Sequence, residues 1–141
     1  MTAPLLEVRD LDVIYPGGRG RQPFHALKSV SLDILPGETV GLVGESGSGK
    51  TTLGRAVLGL APVSGGSIAF AGRDISHLSR RERRGVARDI QVVFQDPYSS
   101  LNPSMTIEQI LAEPLTANGV EGKAARARVK ELLDGVRLPA D

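Results

Sequence analysis

The sequence contains no cysteine, which excludes disulfide staples and thiolate metal sites and suits a reducing compartment. It has almost no net charge: 17 Lys and Arg against 16 Asp and Glu leave +1 at pH 7, so no global field argues for nucleic acid or an acidic partner. No apolar run approaches the roughly 20 residues that span a bilayer. Residues 1–10, which include Glu7 and Asp10, lack the basic-then-apolar layout of a signal peptide. Repeats and low-complexity segments are absent, and the histidines His25 and His77 stand isolated, which argues against a ligand role for either. At 141 residues the chain has the length of one domain, enough for a core but short for a complete nucleotide-driven machine. The expectation is a soluble, cytoplasmic chain without a transmembrane segment.

What the sequence does contain is Gly44-Glu45-Ser46-Gly47-Ser48-Gly49-Lys50-Thr51, followed by Thr52, a match to the phosphate-loop pattern G-x-x-x-x-G-K-[ST]. Its flanks fit. Upstream, Thr39-Val40-Gly41-Leu42-Val43 is a short apolar run of the kind that forms a buried strand. Downstream, Leu53, Ala56, Val57 and Leu60 share one face of a helix. The glycines let the backbone curl so that successive N–H groups point inward at a phosphate. The new helix adds its unpaired N–H groups and the positive end of its dipole. In this pattern Lys50 reaches the β/γ-phosphates, the Thr51 hydroxyl ligates Mg²⁺, and Thr52 offers the phosphates a further hydroxyl. Residues 44–52 therefore read as a nucleoside-triphosphate site with Mg²⁺.

Around this loop the pattern is α/β. Residues 5–15 alternate loosely (Leu6, Val8, Leu11, Val13) and predict a strand with a bend near Asp10, and residues 25–35 predict a second. Pro36-Gly37-Glu38 turns the chain into the run before the phosphate loop, and Ser67-Ile68-Ala69-Phe70-Ala71 predicts a short strand closed by a turn at Gly72-Arg73-Asp74. Residues 79–88 predict a polar helix with Arg80, Arg81, Arg83 and Arg84. A basic patch for nucleic acid is one reading, and a solvated face offset by Glu82 and Asp89 is the favoured one. Ile90-Gln91-Val92-Val93-Phe94 predicts another strand. A short helix from near Thr106, bent or ended by Pro114, and an amphipathic helix over 122–136 (Ala125, Val129, Leu132, Leu133, Val136) complete the chain.

The strand end at Gln95-Asp96-Pro97 carries competing readings. An acidic residue after a buried strand can hold Mg²⁺, which favours Asp96. Gln95 intervenes, however, and Pro97 forces an immediate turn. The amide of Gln95 is suited to hydrogen-bond an attacking water or the Mg²⁺ shell, and it is the preferred catalytic and metal candidate beside Lys50 and Thr51. A purely structural Asp-Pro turn is the third alternative.

These residues resemble the ATP-binding subunits of ABC transporters, most closely those of oligopeptide, dipeptide and nickel importers. The string Gly41-Leu42-Val43-Gly44-Glu45-Ser46-Gly47-Ser48-Gly49-Lys50-Thr51-Thr52-Leu53 is similar to that group's Walker A region. Val93-Phe94-Gln95-Asp96-Pro97-Tyr98-Ser99-Ser100-Leu101-Asn102-Pro103 is similar to its Q-loop and the segment after it, and is the more specific match. Pro36-Gly37-Glu38 and Ser64-Gly65-Gly66-Ser67-Ile68 fit the same pattern. The resemblance implies an α/β P-loop NTPase: a RecA-like core with an N-terminal antiparallel β subdomain and the start of a helical subdomain. It implies a division into 5–94 (β subdomain and P-loop core), 95–105 (Q-loop segment) and 106–141 (helical subdomain). It supports Gln95 over Asp96 and makes Tyr15 the aromatic platform for adenine. It also implies a second ABC ATP-binding domain as partner in a homo- or heterodimer, permease subunits docked through 95–113, and a peripheral place on the cytoplasmic face of the membrane.

The family's signature motif, its Walker B aspartate with the following glutamate, and its switch histidine are not in this sequence. The resemblance thus implies an N-terminal, truncated portion that binds nucleotide without a complete hydrolytic set. Alternatives are a soluble ABC-type ATPase, whose usual coiled coils or zinc-binding insertions do not occur here, and a non-hydrolysing nucleotide-binding module. Other phosphate-loop classes fit less well. A GTPase wants an Asn-Lys-x-Asp motif, which is absent, and a nucleotide kinase wants a basic lid, for which residues 80–84 are the candidate. A Rossmann dehydrogenase fails because Thr52 stands where its last glycine should fall.

Overall fold

The computed structural model describes residues 2–96 and 101–139. The chain forms two compact units, Met1–Val92 and Val93–Asp141. In the first, β1 (Leu6–Tyr15), β2 (Phe24–Ile34), β3 (Gly65–Phe70) and β4 (Arg73–Asp74) make a sheet in the order β2-β1-β3-β4, joined by α1 (Lys50–Val57) and α2 (Arg80–Val86). All three ladders are antiparallel.

β1 is the central strand, and its inward residues are not evenly spaced: Val8, Leu11 and Val13 are all fully buried. The period of two would send Val8 and Leu11 to opposite faces. The bend expected near Asp10 resolves this, because Asp10 takes a left-handed φ of 44° and the ladder with β2 shifts between Val8 and Leu11. Polar bonds hold the bulge: Asp10 N–H donates to Ser31 Oγ (2.9 Å), and Ser29 Oγ donates to Asp10 Oδ1 (3.2 Å). On the other side Gly66, at φ +74°, lies so close that a Cβ there would overlap the carbonyl oxygens of Arg9 and Asp10. Val8, Leu11, Val13, Leu27, Ile68 and Ile75 then form one apolar core with Leu53 and Ala56 of α1. Burying a side chain such as Leu53 contributes about 1.5–3 kcal/mol, which ties α1 to the sheet.

Several expectations are corrected. The helical face drawn from Leu53 to Leu60 stops at Val57, and Leu60 is exposed. Gly72-Arg73-Asp74 is more than a turn: Ala71 and Gly72 take left-handed φ and return the chain as β4. Residues 39–43 and 90–94 form no strand, and Val43 and Val93 are 97% and 98% exposed. A parallel-type strand is stable only when its backbone is paired and its faces covered, and no described strand pairs with these runs. Arg83 does not belong to the solvated arginine face. Its Nη1 donates to Val57 O (2.9 Å) and its Nη2 to Ile75 O (2.6 Å), and partial burial pushes its pKa below the ordinary value. Arg80, Arg81 and Arg84 do face solvent. His25 is not isolated in space: its Nε2 lies 2.6 Å from Asp12 Oδ1.

The second unit pairs α3 (Ile107–Ala117) with α4 (Gly122–Gly135). Thr106 starts α3 with a capping box: Gln109 N–H donates to Thr106 Oγ1 (3.2 Å), and Thr106 N–H donates to Gln109 Oε1 (2.9 Å). Pro114 does not end this helix. The last turn after it is held by side chains, with Thr116 Oγ1 donating to Glu113 O (3.0 Å) and Asn118 Nδ2 to Pro114 O (2.8 Å). Ala125 and Val129 are buried as the α4 pattern predicts, but Leu132 and Val136, predicted on the same face, are exposed. Arg126 Nε meets Glu108 Oε1 at 3.1 Å and links the two helices. Among the described residues no helix is long and apolar enough to cross a membrane.

Candidate nucleotide site

The phosphate loop runs from the exposed segment before Gly44 into the first turn of α1, and its glycines have separate physical reasons. Gly47 and Gly49 take φ of +83° and +94°, a region other residues enter at a cost. A Cβ on Gly49 would also stand 2.6 Å from Leu27 Cδ2, so only glycine lets the helix start press against β2. A Cβ on Gly44 would stand 2.7 Å from Ser48 Oγ, inside the curl of the loop.

α1 begins at Lys50 with Gly49 as its cap residue, no side-chain capping bond and no acid in its first turn. Its leading N–H groups and dipole end are therefore left for an external anion. The Lys50 ammonium lies over the loop, donating to Gly44 O (2.7 Å), Glu45 O (2.6 Å) and Ser48 Oγ (3.2 Å). These are neutral acceptors. An anionic phosphate oxygen adds a charge–charge attraction that these acceptors lack, which favours exchanging them for a ligand.

Beside the loop is a cavity of about 220 Å³ lined by Phe24, Ala26, Gly47, Gly49, Lys50, Thr51 and Thr52. Five of the residues predicted from sequence thus line one space, and Gly44, Glu45 and Ser48 hold the ammonium at its edge. Ser46 is exposed in the turn. Thr51 is exposed, its hydroxyl fit for a hard cation. No cluster of three or more His, Asp or Glu side chains among the described residues makes a metal site by itself. The Thr51 hydroxyl would hold Mg²⁺ here as the phosphate-loop pattern assigns, together with the nucleotide's phosphates and water.

The other predicted residues lie elsewhere. Tyr15, at the end of β1, is half-buried against the core and is not among the residues lining the cavity. Gln95 and Asp96 are exposed residues of the second unit. Pro97, Tyr98, Ser99 and Ser100 of the Q-loop-like string lie outside the described residues. Sequence reasoning missed Phe24 and Ala26. No motif marks them, and only the register that sets Phe24 directly opposite Tyr15 gives a sign of their place.

The model of the ABC transporter family matches residues 27–141. The glutathione import ATP-binding protein GsiA of Escherichia coli K12 is 48% identical over 96% of this chain and 23% of its own length. A putative peptide import ATP-binding protein of Brucella ovis is 49% identical over 98% of this chain and 43% of its own. The chain therefore spans less than half the length of these relatives. Among solved structures, the cassette MJ0796, dimeric in a post-hydrolysis state with ADP and Pi, superposes with a TM-score of 0.75 at 26% identity, over 95% of this chain and 58% of that one. CbiO1 of Clostridium perfringens, part of the transporter complex cbiONQ, gives 0.74 at 29% identity, over 96% of this chain and 51% of its own. The α/β architecture of antiparallel sheet, phosphate loop and helices is thus that of ABC cassettes, and the chain belongs to the ABC transporter family.

Proposed function

We propose that this chain is the nucleotide-binding part of the energy-coupling subunit of an ABC importer for peptides or similar small solutes. The observation that carries the reading is the Lys50 ammonium held over a glycine loop that opens onto an uncapped helix start. Residues 44–52 bind the phosphates of ATP, Thr51 and Gln95 hold Mg²⁺, Gln95 orients water, and Tyr15 receives the adenine. When bound, Mg²⁺ neutralises charge on the β- and γ-phosphate oxygens. The chain's own part is to grip the triphosphate through backbone N–H groups and Lys50 and to fix its position.

The importer assignment is supported by the names of the relatives, which are import ATP-binding proteins for glutathione and, putatively, peptides. Residues 5–94 serve as β subdomain and P-loop core, 95–105 as Q-loop segment and 106–141 as helical subdomain. A second ABC domain closes the site, and permease subunits dock on 95–113 at the cytoplasmic face of the membrane. Calorimetric titration with ATP and Mg²⁺ tests the nucleotide reading. Lys50→Ala should weaken ATP about tenfold to a hundredfold while leaving adenosine unchanged, since the lost contact is charge-assisted. Equal ATP affinity in both proteins would overturn it.

A further inference from the structure

We infer that Phe24 is a second aromatic contact for the nucleotide base, acting from β2 across the strand pair from Tyr15. The inference rests on the reading of residues 44–52 as the triphosphate site and adds a residue to it. Phe24 is the first residue of β2 and is 64% exposed. The sequence has only three Phe and two Tyr and no Trp, and one of these rings stands open to solvent beside the phosphate loop. It lines the same cavity as Gly47, Gly49, Lys50, Thr51 and Thr52. The ribbon and the helix start meet closely there, since a Cβ on Gly49 would stand 2.6 Å from Leu27 Cδ2 and 3.2 Å from Ala26 O.

The chemistry separates the parts of a nucleotide. Phosphates gain from N–H groups and the ammonium, and nothing from the face of a phenyl ring. A planar base gains from stacking on such a ring whatever its identity. Phe24 and Tyr15 are direct partners in the antiparallel register, and residues so paired project to the same side of the ribbon. A base leaving the phosphate loop toward β2 therefore meets Phe24 in the cavity, with Tyr15 beside it on the neighbouring strand and half-buried against the core. Because stacking tolerates any base, Phe24 should support ATP and GTP to similar extents.

The experiment compares ATP, GTP and inorganic tripolyphosphate, each with Mg²⁺, on the unmodified chain, Phe24→Ala and Phe24→Trp. Base stacking predicts that Phe24→Ala weakens ATP and GTP about fivefold to a hundredfold and leaves tripolyphosphate unchanged. Phe24→Trp should keep ATP affinity and, as the chain's sole indole, change its emission with ATP but not with tripolyphosphate. Circular dichroism matching the unmodified chain confirms that neither substitution unfolds it. Unchanged ATP affinity in Phe24→Ala, an equal loss of tripolyphosphate, or the same emission with both ligands overturns the role of Phe24 and leaves the phosphate site standing. Failure of the unmodified chain to bind either ATP or tripolyphosphate overturns the phosphate site itself, and the base contact with it.

Discussion

The guanidinium of Arg83 occupies the space that a side chain on Gly59 would need: a Cβ built on Gly59, at φ +71°, would overlap Arg83 Cζ. Arg83 also holds the carbonyls of Val57, at the end of α1, and of Ile75, at the end of the β3–β4 hairpin. One side chain of α2 thus joins the helix that starts at Lys50 to the sheet behind it.

Removing either partner should therefore loosen the same junction. Arg83→Met leaves two carbonyls without their donor and should lower unfolding stability by about 1–3 kcal/mol, the usual range for lost bonds to a charged group near a surface. Gly59→Ala adds left-handed strain and displaces the guanidinium, for a similar loss of about 1–3 kcal/mol. The double variant should lose less than the sum, because both changes remove one contact. Urea unfolding of the four proteins measures this, and strict additivity would contradict the junction.

Acid should weaken the first unit through two carboxyls. Hydrogen bonds from Ser76 hold Asp74 below the usual carboxylate range, and bonds from Ser79 do the same for Glu82. A folded-state pKa below the unfolded one means the contribution is present above the unfolded value and is lost as pH falls through the folded one. Stability should therefore decline from about pH 4 downward, the region of unperturbed carboxyls and below. Ser79→Ala should flatten the Glu82 part of that decline. Thermal unfolding between neutral and acid pH reads it, and an unaltered acid limb in Ser79→Ala would count against the cap.

How much of this was legible in the sequence depended on what holds each element. The phosphate loop was legible because its glycines and lysine answer local demands: φ at Gly47 and Gly49, and the reach of Lys50 to carbonyls within six residues. The antiparallel strands were legible from their own alternation, and even the bulge at Asp10 left a break in it. The runs at 39–43 and 90–94 read as strands because they are apolar, yet pairing depends on neighbours that no local pattern specifies. Leu132 and Val136 were misplaced for a related reason: a helical period marks a face without supplying what covers it. Arg83 was hidden in a run of arginines, since nothing in composition separates the one that turns inward from those that face water. Phe24 was hidden because its place comes from cross-strand register.

Gln95 and Asp96 divide by the quantity each would change. If Gln95 orients water or the metal shell, Gln95→Ala should leave ATP binding intact and lower turnover in a hydrolysing ABC dimer that contains this sequence. If Asp96 held the Mg²⁺, Asp96→Asn should instead abolish the Mg²⁺ dependence of ATP binding. Observing the second effect without the first would move the assignment from Gln95 to Asp96.

Hydrolysis by residues 1–141 alone should not exceed background, although ATP and ADP should bind. Phosphoryl transfer depends on positioning and electrostatics from several groups acting together, and part of the set does not give a proportionate part of the rate. On the function proposed above, residues 1–141 would supply a phosphate cradle, a threonine hydroxyl and the Gln95 amide, while the described residues hold no cluster of three or more His, Asp or Glu side chains fit to complete a metal site. The signature, Walker B and switch-histidine motifs that resemblance to the family calls for are not in the sequence. Turnover should therefore require a longer chain carrying those motifs and a second domain to close the site. Phosphate release and nucleotide binding, measured on the same preparation, separate the two properties. Steady release that disappears in Lys50→Ala, which excludes a contaminating ATPase, would show a complete hydrolytic set within residues 1–141. Asp96, which follows Gln95 directly, would then be the first side chain to test as the missing acid.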